Sequence, residues 1–243
     1  MKKIYTLVIG LLVTGMSFAQ QSFILSHIDH RGFVNFSGGT SIPVKSLMKA
    51  APNASSEISA LRGSSMQVSA GYRLTRRIGI MGSFTNCLNQ TSTLKLVENI
   101  QKSHPGGTWT SSGGTWSCSH FLAGPYMTFK AGIWMFDARV TGGYSWIQRP
   151  FTELKGTFFD VPLTIKTAQS RNGSFSVGSG ASVRCKITRN FALAVHADYV
   201  STKASFNDIT STLTIGKDKG DEKISEVHPI GLLSIGGGLS LLF

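Results

Sequence analysis

Apolar and polar residues alternate one by one along much of the chain. In residues 174–187 one face carries Phe175 and Val177, while the opposite face carries Ser176 and Arg184. An alternation of period two indicates a β-strand whose two faces meet different surroundings. The same pattern predicts eight strands, at residues 32–43, 63–74, 77–89, 116–129, 133–146, 173–187, 190–203 and 229–243.

The connections between these strands alternate between two kinds. Three are tight turns, near Arg76, Ala131-Gly132 and Arg189, and four are long, at residues 44–62, 90–115, 147–172 and 204–228. Long connections of about 20–25 residues count against a soluble domain, but they are typical of one end of a membrane barrel. The pattern therefore predicts an all-β fold, an eight-stranded antiparallel up-and-down transmembrane β-barrel.

Composition and strand length separate this barrel from a soluble β-sandwich, whose strands also alternate. Charged residues make up 15% of the chain, against about 25% in a typical soluble domain. A strand of about twelve residues, with a rise of ~3.3 Å and a tilt of ~40°, is long enough for an apolar band of ~25 Å. After residue 19 no run of apolar residues is long enough for a transmembrane helix.

The first residues have the organisation of a secretory signal peptide. Lys2 and Lys3 precede an apolar core at residues 4–16, and Ser17-Phe18-Ala19 forms a small-x-small cleavage site. The core is shorter than the ~20 residues that span a bilayer. We therefore predict a signal peptide at residues 1–19 with cleavage near Ala19, an N-terminal periplasmic segment at 20–30 and the barrel domain at 31–243.

The last strand ends in a recognisable pattern, formed by Gly238, Leu239, Leu241 and Phe243. With the signal peptide and the eight strands, it resembles the small outer-membrane β-barrel family of Gram-negative bacteria, the OmpA-barrel and OmpX type. In that family a glycine and two apolar residues before a terminal aromatic form the signal that the barrel-assembly machinery reads. Gly236 departs from the family, which usually has a polar residue there. The resemblance implies the outer membrane, with its lipids and lipopolysaccharide as surroundings, but no single activity.

Several charged side chains face the barrel interior by their position in the alternation: Arg73, Asp137, Arg139, Arg184, Lys186, His196 and Asp198. The interior of an eight-stranded barrel is just wide enough for side chains to fill, and buried charges have to be paired. We therefore predict a charge network that fills the interior. The alternative is a small pore, or a wider porin-like channel if the long connections hide further strands.

An enzyme is a third possibility, because Ser182 lies on the strand before His196 and Asp198. A catalytic nucleophile has to lie within hydrogen-bond distance of its base, and lipid-modifying barrel enzymes act at the outer leaflet, whereas His196 points inward. We expect no enzymatic activity. The histidines show no metal-ligand spacing, and the glycine-rich runs precede no helix, so no metal or cofactor is predicted.

Two cysteines, Cys87 and Cys118, have inward positions near the loop ends of neighbouring strands. In an oxidising compartment they could form a disulfide or remain free thiols, and the sequence leaves both open. Cys185 has a lipid-facing position, as a small apolar residue.

Aromatic side chains fall where the two membrane interfaces are expected: Tyr72, Trp134, Phe191 and Phe243 at the short-turn end, and Tyr144, Trp146 and Tyr199 at the long-loop end. Trp and Tyr favour that level because one edge of the ring is apolar and the other can bond to water.

The formal charge of +12 falls to +10 without Lys2 and Lys3, and most of it lies at the short turns and the adjoining strand ends. This distribution argues against nucleic acid as a partner and favours a collar against anionic headgroups. In the loops, Trp109 and Trp116 are possible anchors for an extracellular or envelope protein partner, or they fold down onto the barrel rim. The sequence as a whole favours a structural, adhesive or partner-binding role for the external loops.

Overall fold

The computed structural model of the chain describes residues 29–45, 59–103, 107–158 and 161–243. The predicted signal peptide and most of the predicted N-terminal segment lie outside the described residues. Within the described ranges, no helix has the length and apolar character needed to cross a membrane.

The described residues form one helix and eleven strands, and the strands belong to a single antiparallel sheet. In chain order these elements are β1 (Gly32–Lys45), β2 (Ser59–Arg73), β3 (Ile78–Ser92), α1 (Leu94–Ser103), β4 (Thr108–Gly113), β5 (Thr115–Ala131), β6 (Trp134–Arg149), β7 (Thr152–Phe158), β8 (Val161–Thr167), β9 (Ser170–Lys186), β10 (Phe191–Ile215) and β11 (Asp218–Leu242).

Eight of these strands close into a barrel, in the order β1-β2-β3-β5-β6-β9-β10-β11, and β11 pairs back onto β1. The predicted eight-stranded antiparallel up-and-down barrel is therefore confirmed. The alternation explains the burial: along β3, Met81 and Cys87 point inward and are buried, whereas Ile80 and Phe84 point outward and are exposed.

The seam between β1 and β11 reaches the last residue of the chain. Gly32 and Phe243 exchange both backbone hydrogen bonds, with N···O distances of 2.7 and 3.0 Å. At Gly238 a Cβ atom would lie 1.9 Å from the carbonyl oxygen of Phe36. Glycine at this position therefore allows the closing strands to approach each other.

The three short turns lie at one end of the barrel. Gly132, with a φ of +62°, forms the two-residue turn between β5 and β6, a conformation that glycine adopts without strain. In the other two turns threonine hydroxyls accept backbone hydrogen bonds: Thr75 from the N–H of Ile78 at 3.0 Å, and Thr188 from the N–H of Phe191 at 3.1 Å.

The long connections differ from the sequence-based expectation, because three of them carry regular structure. The connection at residues 90–115 contains α1 and β4, and that at 147–172 contains the β7–β8 hairpin. Residues 204–228, expected to be a loop, continue β10 and β11 to a turn at Gly216. Strand pairing satisfies the backbone polar groups of these segments, so they do not remain irregular.

These additional strands form what we call the external sheet: residues 209–215 of β10 and 218–224 of β11, followed by β8, β7 and β4. It continues the barrel wall beyond the long-loop end. The fourth long connection lies mostly outside the described residues.

Candidate functional site

A layer of charged side chains fills the lower interior, the half of the barrel nearer the short turns. Arg184 donates two hydrogen bonds to Asp137, from Nε to Oδ2 at 2.8 Å and from Nη2 to Oδ1 at 2.9 Å. Both side chains are buried, and the Arg184 guanidinium lies 3.9 Å from the centroid of the Phe33 ring. This two-point pairing compensates the removal of both charges from water.

A second ion pair lies beside the first. Arg139 binds both carboxylate oxygens of Asp198, at 2.7 and 2.6 Å, and Gln67 donates a further hydrogen bond to Asp198 at 3.0 Å. Ser182 connects the two pairs, because its hydroxyl accepts from Arg139 at 2.9 Å and donates to Asp137 at 3.2 Å. The structure thus places four of the charged residues singled out in the sequence in one hydrogen-bonded network.

Two other residues of that predicted set lie at the short-turn rim. Arg73 is buried, bonds the carboxylate of Asp29 and donates to the backbone carbonyl of Arg76 at 3.2 Å; Lys186 is also buried. Asp29 is bonded by Lys130 as well. Burial raises the pKa of Asp29, but the hydrogen bonds from Lys130 and Arg73 outweigh it and lower that pKa to about 2.

The last member, His196, does not form a catalytic triad with Ser182 and Asp198. Within the described residues no hydrogen bond joins His196 to either residue, and its buried Nδ1 atom has no partner. The Ser182 hydroxyl and the carboxylate of Asp198 both accept hydrogen bonds from Arg139 instead. The three residues share a face without the nucleophile–base contact that a hydrolase needs.

Little space is left between these side chains. The gap bounded by Gln67, Arg139, Ser182, Arg184 and His196 has a volume of about 10 Å³. A single water molecule occupies about 10–15 Å³. The gap therefore holds one water molecule at most, and side chains occupy the rest of the space around it.

Between the two ends of the barrel lies a buried chain of small hydrogen bonds. The Nδ1 atom of His120 lies 2.6 Å from the Ser145 hydroxyl, which lies 2.5 Å from the hydroxyl of Ser176. The three side chains come from β5, β6 and β9 and are fully buried. No role for His120 follows from the sequence, although its inward position in the alternation could have predicted a buried side chain.

The upper interior, nearer the long-loop end, is filled by an apolar plug. Its members are Ala60, Cys87, Trp116, Cys118, Ile147, Ala204, Phe206, Ile209, Ile230 and Leu232. The ring of Trp116 lies 6.5 Å from that of Phe206 and 6.1 Å from that of His228, both in edge-on arrangements.

Of the two possibilities for Trp116, the exposed loop anchor is wrong. Its side chain is only 1% exposed and points into the barrel. The physical reason is that β10 and β11 extend past the expected end of the barrel and carry Phe206 and His228 over its mouth, where they cover the indole ring.

Three ionisable residues lie beside this plug: Arg149 and His228 are buried, and Glu226 is partly buried. The carboxylate of Glu226 lies 2.9 Å from Nε2 of His228 and 3.5 Å from Nε of Arg149, whose side chain is fully buried. The hydrogen bond from His228 lowers the pKa of Glu226, despite the opposing effect of burial. Sequence analysis missed all three, because they lie at or beyond the expected strand ends.

Cys87 and Cys118 are directly opposite each other in the register of β3 and β5, and both are completely buried. Both thiols are free in the structure, and Cys87 Sγ lies 3.6 Å from the Ser234 hydroxyl. Cys185 has an outward position in β9 and is half-buried. In the described part of the chain, no group of His, Cys, Asp and Glu side chains has the arrangement of a metal site.

The external sheet has two different faces. On one face Glu153 lies between Lys166, at 3.0 Å, and Lys155, at 3.3 Å, and the hydrogen bond from Lys166 lowers the pKa of Glu153. The other face is more apolar, and its Leu154 is buried. The sheet therefore presents a charged face and an apolar face outside the barrel.

The second predicted loop anchor, Trp109, lies on the edge strand β4. Its ring packs on Gly156 so closely that a Cβ atom there would lie 2.2 Å from it. The side chain is half-buried, and α1 packs beside β4, with a groove of about 760 Å³ between them. Trp109 is thus part of the external sheet and not a side chain on an irregular loop.

The outward aromatic residues predicted for the two interfaces lie at the ends of the barrel strands. Those exposed on the outer face are Tyr72, Trp134, Tyr144, Trp146, Phe191 and Phe243. Tyr199 is half-buried. Tyr144 and Trp146 contact each other, with ring centroids 5.3 Å apart.

Comparisons with known proteins find similar folds among solved structures alone. No protein-family model matches the chain, and no curated protein matches it. Neisserial surface protein A is 13% identical, with a TM-score of 0.43, and the match covers 87% of this chain and 97% of that one. The attachment invasion locus protein Ail of Yersinia pestis is 14% identical, with a TM-score of 0.40, and the match covers 86% of this chain and 99% of that one. The outer membrane protein OprG of Pseudomonas aeruginosa is 9% identical, with a TM-score of 0.47, and the match covers 90% of this chain and 98% of that one. The chain is similar in fold to small outer-membrane β-barrel proteins.

Proposed function

We propose that the protein is an integral outer-membrane barrel of a Gram-negative bacterium that presents the external sheet as a binding surface. It acts by contact with an extracellular or envelope partner, and it neither conducts nor catalyses. The features that support this role are the closed barrel, the filled interior and the ordered sheet beyond its long-loop end.

The observation that carries the proposal is the filled interior. The charged layer leaves a gap of about 10 Å³, and the apolar plug closes the barrel above it with Trp116 and Phe206. A pore needs a continuous aqueous path, which wider barrels have. The small-pore and porin-like alternatives are therefore disfavoured.

The position of the external sheet supports a binding role. It extends the wall that would cross the membrane, so its orientation is fixed by hydrogen bonds that run through β10 and β11. A rigid surface loses little conformational entropy when a partner binds. Its charged face, with Glu153, Lys155 and Lys166, and its apolar face, where Leu213 and Ile215 are exposed, offer different chemistries to a partner.

A shortened variant tests this role. Residues 210–223, the outer part of the β10–β11 hairpin, are replaced by Asn-Gly, which favours a tight hairpin turn. The plug residues Phe206 and Ile209 are retained, as is Ile224, which packs against the plug. Cells that display the full chain or the variant are compared for adhesion to surfaces and for proteins captured by cross-linking. We expect the variant to form a heat-modifiable barrel but to lose adhesion and the cross-linked partner. Equal adhesion and capture by both chains would contradict the binding role.

The outer-membrane location has its own test, which uses Phe243. Removing this residue deletes the two backbone hydrogen bonds to Gly32 and the terminal aromatic ring. We expect less heat-modifiable barrel in the outer membrane, while replacement by Tyr, which preserves an aromatic end, restores it. Normal amounts after the deletion would contradict an assembly role for Phe243.

A further inference from the structure

The short-turn end of the barrel carries far more positive than negative charge. Its cations are Arg31, Arg73, Arg76, Arg77, Lys130, Lys186 and Arg189. Among the described residues, Arg76 and Arg77 are exposed and have no carboxylate within salt-bridge distance. Among the described side chains of this rim, Asp29 is the one carboxylate, and it is already bonded to Arg73 and Lys130.

The side chain of Arg77 lies at the outer edge of the barrel and not over its axis. Its guanidinium carbon is 5.9 Å from the centroid of Phe129, whose exposed ring belongs to the outward face of β5. A cation above an outward aromatic ring, with exposed Ile78 beside it, is the arrangement expected where headgroups meet acyl chains.

An apolar groove of about 710 Å³ lies above these arginines on the outer face. It crosses β2, β3 and β5, and its outward lining includes Ala70, Tyr72, Ile80, Gly82, Ala123 and Pro125. At a rise of ~3.3 Å per residue, Ile80 and Gly82 lie roughly 10 and 16 Å along the strand from Arg77. One leaflet of the hydrocarbon core is about 15 Å thick. The groove thus lies at the depth of an acyl chain whose phosphate is at the arginines.

We propose that this end of the barrel binds an anionic phospholipid of the periplasmic leaflet, with its phosphate at Arg76 and Arg77 and one acyl chain in the groove. The inference rests on the proposed membrane location. Guanidinium groups form strong charge-assisted hydrogen bonds with phosphate. A zwitterionic lipid also brings an ammonium group, which the excess of cations repels. A second copy of the chain fits this face poorly, because its own arginines would meet those of the first copy.

The test measures lipid retained by the full chain after reconstitution in an equimolar mixture of phosphatidylglycerol and phosphatidylethanolamine. Native mass spectrometry of the barrel counts each bound lipid. The headgroup variant is R76Q/R77Q, and its control, R62Q, removes an exposed arginine at the opposite end. The groove variant is G82L, because a Cβ at Gly82 has no neighbour closer than 3.9 Å. Its control is G38L, at another outward glycine with comparable space, 4.0 Å.

We expect wild type, R62Q and G38L to retain phosphatidylglycerol in preference to phosphatidylethanolamine. R76Q/R77Q should lower that preference by about fivefold per arginine, and G82L should lower retention of both lipids. Equal retention of the two lipids by the wild type, or identical behaviour of variants and controls, would overturn the lipid site. So would protein dimers that G82L alone dissociates, because the groove would then hold a second copy.

Heat-modifiable migration is scored on the same samples to separate the two proposals. Its loss in the wild type would refute the membrane barrel, whereas a folded barrel that retains both lipids equally would refute the lipid site alone.

Discussion

The lower and upper halves of the barrel interior exclude water in opposite ways. The lower half is filled by charges that neutralise each other in pairs, Asp137 with Arg184 and Asp198 with Arg139. The upper half is filled by apolar side chains around Trp116. The difference predicts different failures, because a deletion below leaves a charge without its partner, whereas a deletion above leaves a cavity.

The largest expected effect comes from the lower half. Replacing Asp137 with Ala leaves the buried guanidinium of Arg184 without its two hydrogen bonds, and we expect a loss of about 3–5 kcal/mol in the free energy of unfolding. Urea titration of the barrel in lipid vesicles measures this loss. The double variant D137A/R184M removes both charges and should recover much of it. A loss below about 1 kcal/mol for the single variant would show that Asp137 is not needed as a partner.

In the upper half, replacing Trp116 with Ala creates a cavity under Phe206 and His228. We expect a loss of about 3 kcal/mol in the same titration. The control W116F retains most of the ring volume and should lose less. W116A leaves no buried charge without its partner. We therefore expect no second substitution to restore its stability in the way that R184M restores that of D137A. A neutral W116A would mean that the plug does not contribute to stability.

Acid should loosen the packing of the upper half, because it protonates Glu226 beside the plug. Its pKa in the folded protein is below the ordinary value of 4.5. Its contribution is therefore complete above that value and is lost as the pH falls through the lower folded pKa. We expect the near-ultraviolet circular dichroism of the Trp116 environment to weaken in this range. E226Q should show a weaker signal already at neutral pH and little further change. Equal acid profiles of the two proteins would contradict this role.

The smallest effect is expected outside the barrel, at the exposed pair of Glu98 and Lys102 on α1. Their charged atoms are 2.8 Å apart, but both side chains are more than half exposed. We expect K102A to change the free energy of unfolding by at most about 0.5 kcal/mol. This value is the reference for the interior variants. A loss as large as that of D137A would mean that close contact, and not burial, determines the effect of a charge pair.

The sequence predicted the lower half better than the upper half, for a physical reason. In the lower half the alternation is regular, so inward positions such as Asp137 and Arg184 follow from counting. In β10 the register shifts between Phe206 and Ile209, where Asp208 has a φ of 56°. This bulge reverses the alternation, so that Phe206 and Ile209 both point inward. A pattern of period two cannot reveal such a shift.

The external sheet was missed for a related reason. The strand ends were placed where the apolar band of a membrane ends, but backbone pairing does not stop there. Thr210, Thr212 and Thr214 alternate with Leu213 and Ile215, a pattern of strong strand formers. Closure by Phe243, in contrast, depends on a local signal at the end of the chain and could be predicted without knowledge of the loops.

The measurement that tests the central claim most directly is electrical recording of the full chain reconstituted in a planar bilayer. Because the Asp137–Arg184 layer closes the interior below and the Trp116 plug closes it above, folded wild-type barrels should give no resolvable current steps. Reproducible steps that increase in number with the amount of folded barrel would contradict it, and the chain would then be a channel.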